Sequence, residues 1–98
     1  MISVEFTSEA EADLFDAADY YESKEKGLGK RFGDEIADIL HTAANAPYLW
    51  RLRSDGYRRI NCPVFPYYVA YIIRDKSLVV VAIAASRRLP GYWHSRLK

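Results

Sequence analysis

The chain has 98 residues, half of them hydrophobic and 28% charged, a balance too apolar for a disordered polymer and ordinary for a folded one. So short a chain rarely supports two independent cores, and one domain over residues 1–98 is expected. The net charge of +1 conceals an asymmetry: residues 1–50 carry eleven acidic and four basic side chains, whereas 51–98 carry two acidic and ten basic. A basic half set against an acidic one points to a surface that attracts a phosphate backbone or an acidic protein. Cys62 is the only cysteine, so no internal disulfide can form, and no Cys/His spacing suits zinc. No metal or cofactor is expected. There is no basic-then-apolar leader and no apolar run long enough to span a bilayer, so the expected location is the cytoplasm.

Residues 2–6 alternate Ile2, Val4 and Phe6 with Ser3 and Glu5, the pattern of a half-buried strand. Ser8 followed by Glu11 reads as a capping box, and Glu9, Glu11 and Asp13 suit the positive end of a helix. Ala10, Leu14, Ala17, Ala18 and Tyr21 recur at three- and four-residue steps, which predicts a helix to about residue 25. KGLG interrupts it. Phe32, Ile36, Ile39, Leu40 and Ala43 then predict a second amphipathic helix, closed by Pro47. A link this short folds two helices into an antiparallel hairpin.

The remainder reads as strands over 57–62, 65–73 and 77–85, with Asp75 suited to the turn between the last two. Residues 78–85 are apolar on both faces, the mark of a central strand, and Pro66 sits near a strand start, where its missing N–H is tolerable. The order is β-α-α-β-β-β plus a short C-terminal tail. That is an α+β fold, a helical hairpin packed on a mostly antiparallel four-stranded sheet.

The two-residue period of a strand sends Arg58 and Arg59 to opposite faces. Arg58 shares its face with Ile60 and Cys62, which periodicity would bury; Arg59 goes with Tyr57 and Asn61. Some of Arg58, Arg59, Tyr68, Arg74, Arg87 and Arg88 are expected to line the uncovered face or its rim. Tyr92 and Trp93 are expected to pack on the core, since a buried aromatic removes ~150–250 Å² from water. His94 is expected at the surface and His41 in a structural or exposed position. Tyr67, Tyr68 and Tyr71 read as sheet packing, with Tyr67 also a partner contact. The acidic first helix reads as a solvated face.

Taken together, several segments resemble the RelE/ParE superfamily, the toxins of bacterial type II toxin–antitoxin operons. They are EAEADLFDAADYYE, GLGKRFGDEIADIL, NAP, YRRI, FPYYVAY and RRLPGYWHSR. Each is weak alone; in this order they cover nearly the whole chain. The fold such a family implies is the one already read from periodicity. The resemblance further implies a toxin of the plasmid-stabilisation kind and an antitoxin partner that wraps it, with a toxin–antitoxin hetero-oligomer as the form it can take.

Two activities occur on this scaffold. RelE-like toxins cut messenger RNA on the ribosome without a metal, and ParE-like toxins inhibit DNA gyrase and are not enzymes. RNA cleavage needs groups to move protons as well as positive charge on the phosphate, and arginine supplies only the charge. Where many relatives carry a histidine three residues before the arginine matching Arg88, this chain has Ala85, and residues 50–59 contain no lysine. The resemblance therefore implies the ParE-like branch, a gyrase inhibitor. Arg58, Arg59, Arg74, Arg87, Arg88, Tyr92, Trp93 and Arg96 are then the residues expected to bind target or antitoxin. The alternative is a ribosome-dependent endoribonuclease in which Arg58, Arg88, Tyr92 and His94 carry the chemistry. A third reading is an interaction module without toxicity.

Overall fold

The computed structural model describes residues 1–89 and 91–97; Pro90 of the RRLPGYWHSR segment and the terminal Lys98 lie outside the described residues. The element order is β1 (Ser3–Phe6), α1 (Ser8–Lys24), α2 (Leu28–Asn45), β2 (Arg58–Asn61), β3 (Tyr67–Arg74), β4 (Ser77–Ala85) and α3 (Gly91–His94), followed by a 3-10 turn over Ser95–Leu97. The strands form one sheet in the order β1-β4-β3-β2. β2–β3 and β3–β4 are antiparallel, and β1 runs parallel to β4. The predicted α+β architecture is the observed one. The short C-terminal tail folds into a helical turn whose Trp93 packs against the sheet.

α1 begins one residue earlier than its capping chemistry suggested. Thr7, not Ser8, is the N-cap, its hydroxyl accepting from the Ala10 amide at 3.1 Å. Ser8 Oγ points to Glu9 instead. Ala10 and Ala17 are buried, and residues this small let α1 lie close to its neighbours. The turn into α2 uses Gly27 at φ 87°, a left-handed conformation that favours glycine. Gly27 has no side chain to cap α2, and Glu22 of α1 takes over: its carboxylate accepts from the amides of Gly27 and Gly29 at 3.0–3.1 Å. A negative group at the positive end of a helix is stabilising. At Gly29 the helices approach so closely that a Cβ would lie 2.6 Å from the Ala18 carbonyl oxygen.

The sheet is buried on both faces. Toward the helices, Phe32, Ile36 and Ile39 of α2 pack on Ile60, Val69, Tyr71, Leu78, Val80 and Ile83. On the other face Trp93 of α3 closes over Tyr57, Tyr68, Val79, Val81 and Ala84. The register slips at Ala70/Tyr71, which pair with Ala82 and Val80. Val81 is thus the extra residue of a bulge, and inward alternation along β4 changes phase there. Asp75 and Lys76, both at positive φ (50° and 64°), make the two-residue turn whose twist suits a hairpin. Among the described residues no helix is long and apolar enough to cross a membrane.

Candidate functional site

Where β4 ends, Ser86 and Arg87 turn the chain, and the Arg88 amide donates back to the Ala85 carbonyl at 3.1 Å. This turn projects two exposed arginines beside a cleft of about 310 Å³. Arg88 lies over Tyr92, its guanidinium carbon 3.7 Å from the ring centroid. The facing wall is α1, which contributes Asp13, Asp16 and Tyr20, and the floor is Tyr67 with Ile83 and Ala85 of β4.

Asp13 organises that floor. Its Oδ2 accepts from the Ile83 amide at 3.0 Å and from Arg96 Nη1 at 2.7 Å. Arg96 Nη1 also reaches the Val81 carbonyl at 3.1 Å, the backbone oxygen of the bulge residue. One ion pair therefore joins α1, the outer edge of β4 and the C-terminal turn. The Asp13 carboxylate accepting hydrogen bonds from Arg96 pushes the guanidinium pKa upward.

The residues expected to bind a partner do not form one surface. Arg87, Arg88 and Tyr92 line the cleft. Tyr92 is 36% exposed, so the expectation that it packs with Trp93 in the core holds for Trp93 alone. Trp93 is fully buried, its indole N–H donating to the Tyr68 hydroxyl at 2.7 Å, and it supports the surface without lining it. Arg96 is engaged by Asp13.

Arg58 and Arg59 do face opposite ways. Arg58 turns toward the loop after α2, donating to the Trp50 carbonyl at 2.9 Å and lying over Tyr48. Arg59 covers Tyr68, 3.8 Å from its ring centroid, and donates to Asn61 Oδ1. Arg74 pairs with Ser77 at the far end of the β3–β4 hairpin, whereas Tyr67 pairs with Ala85 at the cleft end. Seven residues of strand put it roughly 23 Å from the cleft.

His94 does not join the arginines. Its Nδ1 lies 3.1 Å from Asp55 Oδ2 and its ring packs against Trp93 and Tyr57, beside a separate hollow formed with Ser95 and Leu97. Tyr92 is shifted away from base chemistry: burial, then Asp13, raise its pKa, against a smaller opposing effect of Arg88. The cleft can bind anionic groups through two arginines. Asp13 and Asp16 on the opposite wall make it mixed in sign, unlike a surface built for a polyphosphate backbone alone.

Sequence reasoning missed Asp13 and Asp16 by treating α1 as a solvated face. The signal for Asp13 was present, since it falls at i+3 in the stripe Ala10, Leu14, Ala17. It also missed a second groove, about 600 Å³, between α2 and the β2 edge, walled by Asp34, Glu35, Asp38, Trp50 and Ile60. There Glu35 holds the following loop through the Val64 and Phe65 amides. Among the described residues no group of three His, Cys, Asp or Glu side chains is placed to hold a metal.

Comparison with known proteins bears on this arrangement. Residues 4–90 match the family model for the ParE toxin of the type II toxin–antitoxin system parDE. The chain is similar in structure to a chain of the chromosomal ParDE system of P. aeruginosa, with a TM-score of 0.63 and 19% identity over 87% of this chain and 96% of that one. A chain of the intact E. coli RelBE toxin–antitoxin complex superposes with a TM-score of 0.67 at 16% identity, covering 90% of this chain and 100% of that one. The isolated E. coli RelE toxin gives 0.66 at 14% identity, covering 97% and 95%. No curated protein sequence matches.

Proposed function

Since the chain belongs to the ParE toxin family of type II toxin–antitoxin systems, we propose that it arrests growth by binding DNA gyrase in the cytoplasm and that a cognate antitoxin neutralises it. The observation that carries this reading is the make-up of the Arg87/Arg88 cleft. It offers cations and a hydrogen-bonding tyrosine, carboxylates opposite them, and Ala85 where a proton-transferring histidine would stand. His94 is held elsewhere by Asp55. A cleft of mixed charge complements a protein surface, where charge pairs set approach and orientation.

The antitoxin partner is supported by the family and by the available apolar surface. Tyr48, Leu49 and Leu52 are exposed on the segment that contributes Trp50 to the α2–β2 groove, and aliphatic antitoxin side chains would dock there. The physiological role that follows is plasmid or chromosomal stabilisation by the toxin–antitoxin pair. The test is induced expression with DNA and protein synthesis followed separately. DNA synthesis stopping first supports the reading; protein synthesis stopping first contradicts it.

A ribosome-dependent RNA-cleaving activity is the second reading, favoured by Arg88 stacked on Tyr92, a cation beside a hydroxyl donor. Primer extension on messenger RNA after induction decides it. Cuts phased to codons and lost in Arg88→Ala would establish the nuclease; intact transcripts would eliminate it.

A further inference from the structure

β2 forms the margin of the sheet opposite β1, and its outer backbone is open over a short stretch. The Cys62 amide donates across the ladder to the Tyr67 carbonyl at 2.9 Å. The alternation of a strand then turns the amides and carbonyls of Ile60 and Arg58 toward β3 as well, and those of Asn61, Arg59 and Tyr57 outward. The Tyr57 carbonyl agrees with this phase, since it accepts from the Arg53 amide at 2.8 Å on the outer side. That bond closes the edge at Tyr57, and Pro63, which has no amide to offer, ends it beyond Asn61. Between these limits the amide and carbonyl of Arg59 and of Asn61 have no hydrogen-bond partner among the described residues.

Outward residues on either side of Ile60 make a self-complementary set. An antiparallel strand pairs through both groups of one residue at a time. A second β2 rotated about Ile60 therefore sets Arg59 against the second copy's Asn61, and Asn61 against its Arg59, so no like charges stand directly opposite. The flanks favour the same occupant. Val64 and Leu52 are 72% and 56% exposed, one beyond each end of the open stretch, and the rotation brings Val64 of one copy toward Leu52 of the other. It also carries the exposed Arg51 toward the second copy's Asp34, on the acidic wall of the α2–β2 groove. We propose that the outer edge of β2 binds a second copy of this chain, joining two four-stranded sheets into one continuous sheet about a twofold axis at Ile60. A ladder this short belongs to the weak, concentration-dependent class of interface. The pairing needs neither the gyrase reading nor the arginine cleft. Leu52 also lies in the segment proposed above for the antitoxin, so the dimer is the state of the chain free of antitoxin.

Sedimentation equilibrium of the full chain, from micromolar to millimolar concentration, tests this with two substitutions at one position. Asn61→Pro removes an outward amide that the single copy does not use and that an edge strand can lack; Asn61→Ala keeps it. The parent and Asn61→Ala should both dimerise. Asn61→Pro should weaken the dimer about tenfold or more, because symmetry removes two hydrogen bonds at once. Val64→Lys, at an exposed position outside the ladder, should also weaken it, and decides the matter if the proline variant fails to fold. Hydrogen exchange at the Arg59 and Asn61 amides, followed by NMR in the parent, should slow as protein concentration rises. A chain still monomeric at millimolar concentration overturns the proposal. So does a dimer weakened equally by Asn61→Pro and Asn61→Ala, or one indifferent to both Asn61→Pro and Val64→Lys. Concentration-dependent protection at the Ile83 and Ala85 amides in place of Arg59 and Asn61 would move the contact to β4 and overturn it too.

Discussion

Asp13 in the first helix and Arg96 near the C-terminus meet at 2.7 Å, and both side chains are about four-fifths shielded from solvent. The same carboxylate holds the Ile83 amide, and the same guanidinium holds the Val81 carbonyl. Two side chains thus complete a strand edge that β1 is too short to cover, a recognised way to protect an open edge. Asp13→Ala removes one acceptor from two donors. It should destabilise the chain by about 2–3 kcal/mol, the range for hydrogen bonds to a charged group that leave a partner unsatisfied. Urea unfolding measures this, and Arg96→Ala in the Asp13→Ala background should cost clearly less than Arg96→Ala alone.

Gly29 is fixed by proximity alone. A methyl group there would meet the backbone oxygen of Ala18 at 2.6 Å, which cannot move without moving α1. Gly29→Ala should therefore destabilise by about 1–3 kcal/mol despite alanine's better helix propensity. Gly33→Ala, with nothing within 4 Å of the added carbon, should stabilise slightly. Thermal unfolding of the pair reads the contrast.

Trp93 is the anchor that seats the C-terminal turn on the sheet. Tyr68→Phe keeps its packing but leaves the indole N–H, which donates to Tyr68 at 2.7 Å, buried without a partner. The cost should be about 1–3 kcal/mol. Near-ultraviolet circular dichroism, following the tryptophan environment, should change while the far-ultraviolet spectrum is preserved.

Cys62 should be inert in the folded chain. Burial, with Glu35 beside it, pushes its thiol from 9.0 to about 12. The folded chain therefore keeps its proton where the unfolded chain begins to lose it, so stability is unaffected below about pH 9 and falls as pH climbs toward 12. Iodoacetamide at pH 8 should label the unfolded chain far faster than the folded one. Equal rates would contradict the burial argument.

Much of this architecture is legible in short-range patterns. The helical steps of Ala10 to Tyr21 and Phe32 to Ala43 and the apolar run of β4 give the elements and their order. What escaped depends on long-range choices. Thr7 and Ser8 are chemically equivalent caps, and the choice falls to Thr7, the residue whose amide closes the β1 ladder on the Val80 carbonyl. The bulge at Val81 has no local signal in LVVVAIAA. Arg96 and Asp13 are 83 residues apart, so nothing in the sequence pairs them. Strand periodicity separates Arg58 from Arg59, but charge patterning carries no direction and leaves the other arginines unplaced. The strand geometry instead sends Arg58, Arg59, Arg74 and Arg87/Arg88 to four places.

The central claim is that the Arg87/Arg88 cleft binds gyrase. A supercoiling assay with purified gyrase and the purified chain tests it most directly, alongside an Arg87→Ala, Arg88→Ala variant. Because both arginines are exposed, the variant should unfold at the same denaturant concentration as the parent. The account predicts inhibition by the parent and its loss, by about tenfold or more in potency, in the variant, as removal of paired interfacial charges implies. Full supercoiling in the presence of excess folded parent chain would contradict it.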